Sequence, residues 1–244
     1  MVNLMLGDCL ERMKEIPDGS VDMILCDLPY GTTACKWDTI IPFEPLWEQY
    51  KRVIKDNGAI VLTASQPFTT ALIASNMREF KYEWIWEKSR ATGHALVNVR
   101  PMKAHESVLV FCSGKEPYMA QKLPGNPYVS PYSRVGNAYE KNQAPEFNTG
   151  SVRNDNLSGE RAPRSVIRFK NANYEGATHH PTQKPVALME YLIKTYTNEG
   201  ETVLDNCMGS GTVGVACKNL NRKFIGIEKD ETYFKIAQDR IAAI

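Results

Sequence analysis

Asp27-Leu28-Pro29-Tyr30 closes an apolar run near the N-terminus, and its residue types suit the gripping of a planar amine. The Asp27 carboxylate can accept one hydrogen of an exocyclic amine, and the Leu28 carbonyl can accept the other. Pro29 biases Leu28 toward an extended backbone, which fixes where that carbonyl points. Tyr30 offers a flat face for a ring to stack on. An aryl amine is a poor nucleophile because its lone pair is delocalised into the ring. Two acceptors holding both hydrogens favour a pyramidal nitrogen and free that lone pair for an electrophile. Alone, the four residues would also serve as a strand end with a proline turn.

A second motif follows an apolar run near the C-terminus: Asp205-Asn206-Cys207-Met208-Gly209-Ser210-Gly211-Thr212. Gly209, Gly211 and Gly214 match G-x-G-x-x-G, and the acidic Glu228 ends the next apolar run. Glycines let a backbone approach a ligand closely, and an acid on the following strand can accept hydrogen bonds from ribose hydroxyls. The turn fits a dinucleotide or S-adenosylmethionine. Asp205 favours the second, because a carboxylate repels a pyrophosphate and attracts the cationic amino group of a methionine moiety. Such a turn usually opens a doubly wound domain, and here it comes last.

The elements that must position these motifs can be read from periodicity. Strands are expected at Asn3–Leu6, Val21–Cys26, Ala59–Ala64, Tyr82–Glu87, Ser107–Cys112, Thr202–Leu204 and Lys223–Ile227. Helices are expected at Leu10–Ile16, Pro45–Lys55, from Pro67 to about Met77, Pro185–Thr197, from the glycine turn to about Leu220, and Glu231–Ala243. Asn57-Gly58 reads as the stop after the second helix. The alternation argues a parallel sheet covered by helices on both faces. Residues 115–178 break the pattern: they are rich in Pro, Gly, Asn, Tyr and Arg, with nine Lys/Arg against six Asp/Glu. A stretch that long without a period is normally functional or mobile.

Bulk properties set bounds. The 244 residues suffice for one sizeable core, 43% are hydrophobic, and the net charge of +1 advertises no global field for nucleic acid. A local basic face masked by acidic helices stays compatible with DNA. The six cysteines form no C-x-x-C pair, which suits reduced thiols and argues against zinc or another metal. Met1–Leu6 lacks the basic lead of a signal peptide, and no apolar stretch reaches membrane-spanning length. These features set a cytoplasmic expectation, with no membrane partner.

With these residues in view, the chain resembles the DNA amino-methyltransferases, which methylate exocyclic nitrogens of adenine or cytosine. Asp27–Tyr30 is similar to the family's (Asp/Asn/Ser)-Pro-Pro-(Tyr/Phe) motif, and Asp205–Thr212 to its cofactor motif. His180-Pro181-Thr182-Gln183-Lys184-Pro185 is similar to a His-Pro element that precedes the cofactor strand. The order of motifs resembles the permuted subgroup called beta. The resemblance implies an α/β fold: a doubly wound, mostly parallel seven-stranded Rossmann-like methyltransferase sheet, circularly permuted, with an irregular target-recognition insertion. Residues 1–114 and 179–244 would form the catalytic domain and 115–178 the recognition segment. Asp27, Leu28, Pro29 and Tyr30 would be catalytic. Asp8, Lys184, Asp205, Gly209, Ser210, Gly211, Thr212 and Glu228 would bind S-adenosylmethionine, with Asp8 on its adenine and Lys184 near its methionine carboxylate. Lys88, Arg90, Arg100 and Lys103 would bind DNA, in a cleft also lined by Trp86 and His105. A place in restriction–modification and a homodimer are further implications, since the family often pairs subunits. Leu28 stands where the family more often has proline, but it keeps the carbonyl.

Asp at the first motif position leans toward adenine, since cytosine-directed members more often carry serine. Methylation of the cytosine N4 amine is the alternative. The chain has no Pro-Cys dipeptide, the nucleophile signature expected for carbon-5 methylation. Methylation of protein glutamine, a non-catalytic nucleotide-binding module and a dehydrogenase resting on the glycines alone stay open as weaker readings.

Overall fold

The computed structural model describes residues 1–33, 35, 38–129, 155–174, 176, 178–180 and 182–244. In chain order the elements are β1 (Val2–Leu6), α1 (Cys9–Met13), β2 (Val21–Asp27), α2 (Phe43–Val53), β3 (Ile54–Ala64), α3 (Phe68–Ser75), β4 (Phe80–Thr92) and β5 (Lys103–Phe111). After these come β6 (Val166–Phe169), α4 (Val186–Tyr196), β7 (Thr202–Asp205), α5 (Thr212–Asn219), β8 (Lys223–Glu228) and α6 (Glu231–Ala242). Pro67 and Pro185 occupy the N-cap positions of α3 and α4, where a missing N–H costs nothing.

The strands form one sheet in the order β1-β8-β7-β2-β3-β5-β4-β6. Its pairings are parallel except where β5 meets β3 and β4. Alternate residues of the central strands feed two cores. Met23, Leu25, Val61 and Val203 pack with Leu188, Leu192, Val213 and Ile241 on one face. Ile24, Cys26, Leu62 and Leu204 pack with Met13, Leu46, Tyr50 and Leu72 on the other. This period of two, with helices on each face, is why β2 reads as an almost unbroken apolar run.

The sheet departs from the sequence expectation in three places. It has eight described strands where seven were expected, because β6 pairs in parallel with β4 beyond the sheet's former edge. The β4–β5 connection carries only a short turn at His94–Leu96 and no crossover helix, so those strands pair antiparallel. Asn57-Gly58 lies inside β3 and does not end α2. Asn57 there takes a left-handed backbone (φ 63°), and the β2 pairing shifts register over this stretch.

Residues 1–119 and 164–244 form one compact unit, and 120–163 form a second. Thus β6 and the short turn Ala172–Tyr174, both inside the interval read as irregular, belong to the first unit. The described part of the second is held by isolated bridges at Leu123–Arg161 and Tyr128–Asn156. Arg161 lies 5.1 Å from the Tyr128 ring centroid, and Lys122 pairs with Glu160 at 2.6 Å. No described helix is long and apolar enough to cross a membrane.

Candidate active site

Because β1, β8, β7 and β2 run parallel and side by side, their carboxyl ends gather four acidic residues at one edge. Asp27 ends β2, Asp205 ends β7, Glu228 ends β8, and Asp8 follows β1. All four line one cleft, together with Leu28, Pro29, Tyr30, Lys184, Gly209, Ser210 and Thr212. The adjacent strands β2 and β7 therefore bring the two sequence motifs into a single site.

The glycine turn is shaped by steric need. Gly209 and Gly211 both sit in the left-handed region, at φ 49° and 78°. A Cβ on Gly211 would come within 2.9 Å of the Ala237 Cβ. Gly214 serves packing: its Cβ would meet Ile241 at 2.3 Å, so the third glycine lets α6 lie against α5. The Glu228 carboxylate accepts from the Gly209 N–H at 2.8 Å and from the Asp230 N–H at 2.9 Å, which locks the turn onto β8. Ser210 is pinned between Gln183 and Arg240. Asp8 caps α1 through the Leu10 N–H at 2.9 Å.

Asp205 is 3% exposed, and one oxygen accepts from the Cys207 N–H at 3.1 Å. Burial pushes its carboxyl up to about 7, with Asp27 and Glu228 adding repulsion. A buried acid in that state is stabilised by an arriving cation. This donor set fits S-adenosylmethionine, with its ammonium and sulfonium charges, and disfavours a pyrophosphate.

At the β2 end, both carboxylate oxygens of Asp27 accept hydrogen bonds. Its Oδ1 accepts from the Tyr30 hydroxyl at 2.8 Å and from the Thr63 hydroxyl. Its Oδ2 accepts from the Lys184 ammonium at 2.6 Å. Thr63 is placed by register, since it pairs with Asp27 across β3 and β2. Phe68 stacks on Tyr30 with ring centroids 5.2 Å apart. Leu28 is buried in the core with α1, α2 and α3, so leucine supplies packing where proline would supply stiffness. Just beyond, Asp38 accepts from the Gly31, Thr32 and Thr33 N–H groups at 2.7–2.9 Å. Burial would raise this carboxyl, but those donors, with Thr33 foremost, hold it below the usual carboxylate range.

Two sequence-predicted lysines are held inside the fold. Lys184 is buried on Asp27, with a second contact of 3.4 Å to Glu106. Burial alone would pull its ammonium down; Asp27 and Glu106 outweigh burial and push it up to about 12. Lys88 is also withdrawn from solvent, its ammonium 2.5 Å from Glu106. It is therefore a correction to the list of surface cations facing DNA: the charge is neutralised inside the fold. Arg90, Arg100 and Lys103 are exposed, and Lys103 donates to Ser65 at 2.7 Å. Pro181 lies outside the described residues. Thr63, Glu106 and Asp38 escaped the sequence reading. Glu106 adjoins His105, which was singled out, but only the pairing of β4 with β5 shows what it faces.

A family model described as DNA methylase matches residues 21–239, nearly the whole chain. The chain belongs to the DNA methylase family. Two curated relatives of this family member are Type II methyltransferases. M.HpaI of Haemophilus parainfluenzae is 28% identical, over 98% of this chain and 73% of its own. M.HinfI of Haemophilus influenzae is 27% identical, over 99% and 68%. Among solved structures, the M1.HpyAVI–SAM complex superposes with a TM-score of 0.65 at 26% identity, covering 99% of both chains. The cytosine-N4-specific PvuII DNA methyltransferase has a TM-score of 0.66 at 16% identity, over 98% of this chain and 86% of that one, and shares the fold. The methylase works with S-adenosylmethionine as its cofactor.

Proposed function

We propose that this methylase transfers a methyl group to the N6 amine of adenine in DNA. The observation that carries the reading is the Asp27 carboxylate, set beside the Tyr30 ring at the carboxyl end of β2 and in the same cleft as Asp205. S-adenosylmethionine, when bound, supplies an electrophilic methyl group. Asp205 would hold its ammonium, Glu228 the ribose hydroxyls and Asp8 the adenine, while the backbone of Gly209, Ser210, Gly211 and Thr212 gives it close passage.

The target base must leave its duplex to reach this cleft, at a cost of about a few kcal/mol. It stacks at Tyr30, whose ring is steadied by Phe68 behind it and by the hydroxyl bond to Asp27. Asp27 and the Leu28 carbonyl hold the two amine hydrogens, so the nitrogen lone pair points out of the ring plane. Placement supplies much of the rate. Asp at the first motif position supports adenine over the N4 amine of cytosine. Residues 115–178 would carry target recognition, supported by their basic and polar composition. Arg90, Arg100 and Lys103 would hold phosphates, supported by their exposure.

The test is methyl transfer from tritiated S-adenosylmethionine to unmethylated plasmid, followed by nucleoside digestion. The expected product is N6-methyladenosine in its deoxy form. Label in N4-methylcytosine would replace adenine by the alternative, and unlabelled DNA would sink the reading.

A further inference from the structure

Both oxygens of the Asp27 carboxylate already carry donors. Two hydroxyls share Oδ1, and Lys184 alone occupies Oδ2. An incoming amine that docks on Oδ2 must share that oxygen with the Lys184 ammonium unless the lysine withdraws. The structure holds a ready destination for it. Glu106 Oε2 is buried and lacks a hydrogen bond, and it lies 3.4 Å from the same Lys184 ammonium. The other Glu106 oxygen is fixed by Lys88 at 2.5 Å, so the carboxylate is held in place. The Tyr30 ring, 5.5 Å from the ammonium, offers its π face alongside.

We infer that Glu106 is a positioning residue, the second seat of Lys184: the ammonium moves from Asp27 onto Glu106 Oε2 when the target amine docks. This rests on the proposed amine methylation. The move is short: the second contact closes from 3.4 Å to the roughly 2.8 Å of a charge-assisted bond. The ammonium stays paired throughout, which a buried charge requires. Lys88 contributes by holding Glu106 still and by balancing its charge when Lys184 is on Asp27.

The experiment compares turnover on unmethylated plasmid, at saturating DNA and S-adenosylmethionine, for wild type, Glu106→Gln, Lys184→Met and the double variant. Calorimetry gives cofactor Kd and thermal melts give folding. Glu106→Gln is expected to lower kcat at least 30-fold with cofactor Kd and DNA KM within threefold. Lys184→Met removes the obstacle and with it the need for a seat, so it keeps measurable turnover above that of Glu106→Gln. In the Lys184→Met background, adding Glu106→Gln changes kcat by less than threefold. Equal losses in both backgrounds, wild-type kcat in Glu106→Gln, or no turnover in Lys184→Met would each overturn the second seat. If Glu106→Gln melts below assay temperature, Glu106→Asp replaces it. Its withdrawn carboxylate should cost at least tenfold in kcat, and wild-type kcat there overturns the inference. A wild-type chain that transfers no methyl overturns the underlying reading, and the seat with it.

Discussion

Replacing Asp27 with alanine removes the acceptor shared by Tyr30, Thr63 and Lys184, yet it leaves Asp205 and the glycine turn untouched. Methyl transfer should fall by about 10²–10⁴, with cofactor affinity within threefold, as read by turnover and calorimetry on the same preparation. Asp205 makes a separate prediction with a definite sign. Burial pushes its carboxyl up to about 7, and the proposed hold on the cofactor's ammonium would need the ionised form. Below that value a proton must leave on binding, so affinity falls about tenfold per pH unit; above it, the dependence flattens. The ligand's own α-amino group loses its charge near pH 8, which caps the rise. Calorimetry between pH 5.5 and 8 in two buffers of different ionisation heat would show the released proton. A pH-independent affinity, or one unchanged in Asp205→Asn, would remove Asp205 from the ammonium site. At this scale the motif residues were legible from spacing, and their partners were not. Nothing local in the sequence joins Thr63, Glu106 or Lys88 to Asp27.

The third glycine of G-x-G-x-x-G belongs to the scale of elements. A methyl group on Gly214 would collide with Ile241 and Phe224 in the contact between α5, β8 and α6. Gly214→Ala should therefore destabilise by about 1–3 kcal/mol while leaving cofactor affinity nearly unchanged, measured by denaturant melts beside calorimetry. Most elements were legible for one physical reason: strands covered on both faces are short apolar runs, and helices between them carry a 3.6-residue stripe. The failures share a cause too. Asn57-Gly58 is strong turn chemistry, but β3 absorbs it as an irregularity in its pairing with β2. β6 is only Val166–Phe169, and nothing in four residues reveals that β4 has an open edge for them. The antiparallel placing of β5 depends on what the β4–β5 connection lacks, a crossover helix, and not on β5 itself.

At the scale of the whole molecule, a net charge of +1 cannot steer a polyanion, so binding to DNA must rest on local cations. Arg90→Ala and Arg100→Ala should each raise DNA KM and flatten the log–log salt dependence by about one, with no change in cofactor Kd. Unaltered salt slopes in both would move the DNA face elsewhere. The permuted order of strands bears on how this chain is made. The β1 strand precedes every other strand of the sheet, yet its neighbour there is β8, more than two hundred residues later. The β2 strand is likewise flanked on one side by β7, from the far end of the chain. During synthesis, the segment bearing Asp27 can pair with β3, and β3 with β5, while the other edge of β2 stays bare. An unpaired apolar edge is a template for joining other chains. At about 5–20 residues per second, that exposure lasts on the order of ten seconds or more. A chain released early would hold the amine-gripping half of the site with nothing to receive the methyl donor. Translation must run through β7 and β8 before the sheet can close and chemistry can begin.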